Sequence, residues 1–204
     1  MPPPLREVLK RAAFWAATLL VLPEVLSYWL RAPLLGRDRA FANSTQTLAL
    51  VPGLLGILLR RAFLARVLRE CHWDVTVEAG TYFSQVEARI GEHVYIGPHC
   101  VLGLVHLERD VLVASGVQIP SGPETHGIER VDVPIRDQPG RQVAIRVGEG
   151  SWVGSGAILL ANVGAGTVVA AGSVVVKPIP DLVVAGGVPA RVLRDRPGQP
   201  AAGA

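Results

Sequence analysis

Val147-Gly148-Glu149-Gly150-Ser151-Trp152-Val153-Gly154 and, farther on, Ala170-Ala171-Gly172-Ser173-Val174-Val175-Val176-Lys177-Pro178-Ile179-Pro180 share one rhythm: an aliphatic residue, then a small one, about every six positions. Six is too long for the alternation of an isolated strand and too regular for a helix. It is the spacing of a solenoid whose short strands stack. Upstream, the aliphatic positions fall at Val77, Phe83, Ile90, Ile96, Leu102, Leu107, Val113 and Ile119. Downstream they run Val147, Val153, Leu159, Val163, Val169 and Val175, with slips at 83–90, 102–107 and 159–163. The following position is Gly91, Gly97, Gly103, Gly148, Gly154 or Gly164, or else often Ala or Ser, as a tight corner requires. Four places after each aliphatic residue the side chain is often small or β-branched (Thr81, Val94, Cys100, Val111, Val117, Ser151, Ala157, Thr167, Ser173), which suits a pleated, half-buried face. Three such strands per coil turn every aliphatic position inward, each worth about 1.5–3 kcal/mol.

The chain has 204 residues, half of them hydrophobic and 18% charged, with a mean hydropathy of +0.36. That composition excludes disorder for most of its length. A formal charge of +3 with no aromatic–basic platform argues against nucleic acid, and is compatible with an anionic ligand or membrane surface. Cys71 and Cys100 form no CxxC pair and read as two buried thiols in a reducing compartment.

Residues 1–74 differ in kind. Arg6, Lys10 and Arg11 precede an apolar run from Ala12 to Leu22, broken by Pro23 and Glu24 and resumed from Val25 to Leu30. The whole approaches spanning length, but Glu24 would cost roughly 2.5–3.5 kcal/mol near a bilayer centre. No small-x-small site follows it, which makes a signal peptide a poor fit. A second run, Leu48 to Leu59, leads into Arg60, Arg61, Arg66 and Arg69 interleaved with Phe63, Leu64, Val67 and Leu68. That pattern suits a helix in a membrane interface, or a cap over the solenoid's open end. Membrane-surface attachment is ranked first, the cap second and a true span third.

The expected organisation is therefore an all-β solenoid over 75–194, preceded by an apolar, basic helical extension (1–74) and followed by a flexible Pro- and Gly-rich tail (195–204). The repeat stops once, between Ser121 and Ala144, so a loop spanning 121–146 leaves the coil.

Three motifs together, Val147-Gly148 to Gly154, Ala171-Gly172-Ser173-Val174-Val175 with Lys177 and Pro180, and Gly187-Val188-Pro189-Ala190-Arg191-Val192-Leu193, resemble the hexapeptide-repeat acyltransferases. The resemblance implies a left-handed parallel β-helix, a homotrimer and acetyl-CoA as donor, with no metal. In the enzymes this chain resembles, a loop just before the Trp-containing repeat carries the histidine that takes the acceptor's hydroxyl proton. The matching segment is Gly122-Pro123-Glu124-Thr125-His126-Gly127, and His126 is the only histidine in the loop. Imidazole is largely neutral near pH 7, as that role needs. By the same resemblance Gly154, Ala171 and Ser173 line the path of the pantetheine arm. Lys177, Arg191 and Arg194 are candidate partners of the CoA phosphates. Trp152 reads as a packing residue beside the loop.

Two positions depart from the pattern. Ala170 stands where Gly is frequent, and Val176 where a hydroxyl residue often precedes the lysine, which bears on CoA affinity. Glu124, Glu129 and Asp132 are all candidates to orient His126, and His106 is the second choice of base.

The resemblance thus implies an acetyl-CoA-dependent O-acetyltransferase acting by direct transfer. The apolar front end points to an acceptor hydroxyl on a sugar, a lipid-linked sugar or a surface-polysaccharide precursor at the inner face of the cytoplasmic membrane. A serine acetyltransferase is close in chemistry, but the front end does not look like that family's helical domain. A zinc hydratase needs three convergent histidines, which the spacing does not provide. A non-catalytic scaffold stays open.

Overall fold

The computed structural model describes residues 5–196. Three helices come first: α1 (Leu5–Leu35), α2 (Arg37–Ala49) and α3 (Gly53–Val67). Sixteen short strands follow, in a parallel solenoid of three sheets. The first sheet stacks β1 (Glu70–Cys71), β4 (Arg89–Ile90), β7 (Val105–Leu107) and β10 (Ile145–Val147), continued by bridges at Val163 and Ile179. The second stacks β2 (Thr76–Val77), β5 (Tyr95–Ile96), β8 (Leu112–Val113), β11 (Trp152–Val153), β13 (Val168–Val169) and β15 (Val183–Gly187). The third stacks β3 (Tyr82–Phe83), β6 (Val101–Leu102), β9 (Gln118–Ile119), β12 (Ile158–Leu159) and β14 (Val174–Val175). The chain visits the sheets in the same order on every turn, so it winds a three-sided prism.

Each two-residue strand turns one side chain out and one in. All fourteen aliphatic positions read from the sequence are buried, at 2% exposure or less. The small and β-branched set four places later is also fully buried, not half-buried as its composition suggested. It fills the inner corners, where hydroxyls serve the backbone: Thr81 Oγ1 donates to the Gly97 carbonyl, Ser151 Oγ to Gly164 and Thr167 Oγ1 to Pro180, each at 2.7 Å.

A solenoid's first coil presents unpaired backbone groups, a liability for any exposed sheet edge. The helices answer it group by group. Arg60 is 3% exposed and donates from Nε to the Val77 carbonyl (2.9 Å) and from Nη1 to Leu48 (2.9 Å) and Val51 (2.7 Å). Arg61 Nε reaches the Val75 carbonyl at 2.6 Å. Thr45 Oγ1 donates to Phe83 O (2.7 Å), and Asp38 accepts the Val86 N–H (3.0 Å).

Arg60 and Arg61 thus belong to the cap and point into the protein, whereas Arg66 and Arg69 of the same stretch stay exposed. Tyr28, Phe41 and Phe63 meet in an aromatic cluster that joins the three helices. α1 runs through Pro23 without a break, although proline removes one helical hydrogen bond.

At the far end β16 (Ala190–Asp195) folds back antiparallel on β15. Arg196 donates to the Gly166 carbonyl (2.9 Å), so order extends past the boundary set at Arg194. The rest of the expected tail, 197–204, lies outside the described residues.

Both cysteines are free. Burial pushes the Cys71 thiol up to about 12 and raises that of Cys100 as well, which favours the protonated form of both.

Candidate active site

The interruption leaves the prism at the corner between the third sheet and the first. Ser121, buried, anchors it twice. Its Oγ accepts the Leu104 N–H of the preceding coil (2.9 Å), and its carbonyl accepts the Val143 N–H (2.8 Å), which closes the loop's base. A second rung, Arg141 N–H to the Glu124 carbonyl (2.6 Å), brings the two legs together beneath His126.

Gly140 presses on that point. A Cβ there would lie 2.5 Å from His126 N and closer still to the Thr125 carbonyl. Farther out, buried Gln138 accepts from Arg130 N–H (3.1 Å) and donates to the carbonyls of Arg130 (2.6 Å) and Val133 (2.9 Å). The loop is therefore a braced arm. Replacing Gly140 by Ala should move His126 without unfolding the prism, lowering turnover about tenfold or more at an unchanged melting temperature. Unchanged turnover in Gly140→Ala would show that the arm need not be held there.

His126 is exposed at this braced position. Of the three candidate orienting groups, Glu129 accepts the Ile128 N–H (3.0 Å) and Asp132 is paired with Arg130. Neither is hydrogen-bonded to the ring. His106 lies on β7, in register between Arg89 and Arg146 on the outer face of the first sheet. Burial first, then the Arg89 guanidinium, hold its imidazole below the ordinary value. Arg69 and Arg146 act in the same direction and Glu70 opposes.

The candidate donor-binding residues fall on more than one edge. Gly154 and Ala171 stack at the corner between the second and third sheets, where a Cβ on Gly154 would lie 2.5 Å from Ala171 N. Ser173 belongs to the same corner, and its Oγ accepts the Gly187 N–H at 3.3 Å. Arg191 pairs with Gly186 and so joins this group. Lys177 follows β14, on the edge from which the loop departs. Arg194 pairs with Val184, three residues farther along β16. Loop and pantetheine corner are thus different edges of one prism, about 18 Å apart for a side of roughly six residues.

Solved structures with the same architecture carry a consistent chemistry. A maltose O-acetyltransferase from Clostridium difficile 630 superposes with a TM-score of 0.69 over 80% of this chain and 88% of its own, at 22% identity. The hexapeptide-repeat acetyltransferase VCA0836 from Vibrio cholerae gives 0.65 over 78% and 92%, also at 22%. This chain has the fold of the hexapeptide-repeat acetyltransferases. A mutant of the N-acyltransferase AntD from Bacillus cereus, solved with dTDP-4-amino-4,6-dideoxyglucose and coenzyme A, shares that fold at TM-score 0.53 and 19% identity, over 60% of this chain and 70% of its own. Among curated proteins, YJL218W of Saccharomyces cerevisiae, described only as a candidate acetyltransferase, is 33% identical over 112 residues. The match covers 52% of this chain, which spans about half (54%) of that relative's length. No protein-family model matches the chain.

Within the hexapeptide-repeat fold two features were missed in the sequence. Trp152 is half exposed, not packed beside its own loop. It stands outward on the second sheet between Leu112 and Val168, on the side of the prism opposite the loop's corner. The second feature is a cluster around Asp74, whose side chain is 8% exposed. His72 Nδ1 meets its Oδ1 at 2.5 Å, His93 Nε2 its Oδ2 at 2.9 Å, and the His93 N–H donates to Oδ1 at 3.1 Å. Burial alone would raise the Asp74 carboxyl. The His72 and His93 hydrogen bonds outweigh it and hold the group below its usual range. The two histidines are 21 positions apart, but β1 pairs with β4 and each follows its strand, so both lie at the corner after the first sheet. Among the described residues, no group of three or more His, Cys, Asp or Glu is arranged to hold a metal ion.

Proposed function

We propose that the chain is an acyl-CoA-dependent O-acyltransferase that moves an acetyl group to a hydroxyl of a sugar or sugar-bearing precursor, with His126 as general base. The observation that carries the reading is the braced arm itself. A single histidine is presented to solvent at a tightly fixed point, beside a coil whose other edge offers backbone groups and Arg191. Imidazole would take the hydroxyl proton as the oxygen attacks the thioester carbonyl. The tetrahedral intermediate would then collapse with loss of the CoA thiolate, which accepts the proton from the imidazolium. Backbone N–H groups near Gly154 and Ala171 could steady the oxyanion. The maltose O-acetyltransferase and the CoA-bound AntD structures support the donor class and a saccharide acceptor.

In this reading one copy is half a site. The arm and the pantetheine corner sit on different edges, and Ile128, Val131 and Ile135 project from the arm unpacked. A column of Tyr95, Leu112, Trp152 and Val168 runs along the outside of the second sheet. A neighbouring copy seated there would bring its arm to this chain's donor edge. We therefore propose the homotrimer as the active form. Free thiols and acyl-CoA use support a cytoplasmic setting.

The test is release of CoA thiol from acetyl-CoA across a panel of saccharide acceptors, with intact-protein mass spectrometry alongside. Acceptor-dependent release without an acetylated protein supports direct transfer. A stable acetyl-protein adduct would contradict it. Arg191→Ala should weaken CoA binding about tenfold at low salt and less at high salt. An effect independent of salt would remove Arg191 from the phosphate.

A further inference from the structure

We propose that the outward face of α1 seats on an anionic lipid bilayer, lying in its interface and not crossing it. α1 buries one stripe, Phe14, Ala17, Val21, Tyr28 and Ala32, against the rest of the cap. Its other half is bare and apolar: Trp15, Leu19, Leu26, Trp29, Leu30 and Leu34 are all more than half exposed, Leu34 at 85%. Over 31 helical residues that face is about 46 Å long. Soluble monomers rarely leave so large an apolar surface without a partner.

Charge identifies the partner. Residues 1–69 hold ten Lys and Arg against three Asp and Glu, a formal +7, whereas residues 70–204 hold ten against fourteen, a formal −4. The chain's entire positive excess therefore belongs to the cap. Lys10, Arg11 and Arg66 are all exposed, and the Arg66 guanidinium lies over the rings of Phe14 (5.7 Å) and Trp15 (5.2 Å), beside the bare face. The Arg11 guanidinium lies over Trp73 at 5.0 Å. Arg11, Trp15, Arg66, His72 and Trp73 line a groove of about 340 Å³ between α1, α3 and β1. A lipid phosphate would find two guanidiniums there, with tryptophans at headgroup depth. A second copy docked face to face would instead set these cations against each other.

By length and composition α1 could cross a bilayer. Its packing points to the surface. The buried stripe is tied through Tyr28 to Phe41 and Phe63, and Arg31 Nη2 donates to Glu24 (2.7 Å) and to Ser44 (2.8 Å). Only one side of the helix is free for lipid. Anchored this way, the prism would stand on the membrane by its capped end.

The test is flotation of the full chain with phosphatidylcholine vesicles, with and without phosphatidylglycerol, in the absence of any acyl donor. Failure here is therefore separate from failure of the catalytic reading. Anionic lipid should raise binding by about tenfold or more at low salt. Leu19→Glu with Leu26→Glu should cut it roughly a hundredfold at an unchanged melting temperature, since both side chains are already in solvent. Arg11→Glu with Arg66→Glu should abolish the preference for anionic lipid. Undiminished flotation of the leucine variant would overturn the proposal, as would resistance of the wild type to alkaline extraction, the mark of a span. So would a lipid-free wild type that self-associates through α1.

Discussion

Replacing His126 by Ala should lower acetyl transfer by about 10²–10⁴-fold, the usual contribution of a positioned general base. It should leave the melting temperature and CoA affinity where they are. Both halves follow from the ring's position. It is exposed, it contributes nothing to the core, and the brace beneath it is made by the backbone of Thr125 and His126, by Gly140 and by the Arg141–Glu124 rung. His106→Ala is the internal comparison. Its imidazole sits among Arg89 and Arg146 on the first sheet, and its loss should leave turnover within a fewfold of wild type. If His106→Ala stopped the reaction and His126→Ala did not, the base would have been placed on the wrong side of the corner.

Replacing Arg60 by Met should cost on the order of 3–5 kcal/mol of stability in denaturant unfolding, the largest single loss expected in the cap. Methionine replaces the aliphatic stem but donates nothing. The Val77 and Val51 carbonyls would lose their donor, at about 1–3 kcal/mol for every group left buried and unpaired, while Leu48 would keep only the Val51 N–H. The loss of one desolvated charge returns part of that. Burial already holds the Arg60 pKa below the ordinary value, with Glu78 opposing. Lysine should not rescue it, since one ammonium cannot reach carbonyls lying in the different directions served by Nε and Nη1. A cost below about 1 kcal/mol would mean that water replaces the guanidinium and that the cap is held by its apolar contacts alone.

The prism was legible in the sequence because its period is local. Each coil repeats the same demand, so Val77 and Val175 announce themselves by spacing alone. The arm was legible as an interruption of that period. The cap was not. Arg60 and Arg61 carry a surface composition, and only the unpaired carbonyls of the first coil, which no pattern within α3 reveals, explain why they turn inward. The same blindness moved the exposed apolar face from α3, where charge and leucine alternate, to α1, where one stripe is buried. Trp152 was misplaced because sequence proximity to the arm is not spatial proximity on a three-sided coil. The cluster at Asp74 was hidden for a related reason: His72 and Asp74 follow β1, ahead of the repeat read from Val77, so its spacing did not align them with His93.

The most direct measurement is the nature of the bond made from acetyl-CoA. Wild-type protein, incubated with acetyl-CoA and matched saccharides bearing a free hydroxyl or a free amine, should yield an acetylated product from the hydroxyl acceptor. That product should gain one acetyl group by mass and lose it in mild alkali, as an ester does. An alkali-stable product formed only from the amine, or no acyl transfer to any acceptor while acetyl-CoA binds, would contradict hydroxyl transfer by the braced histidine.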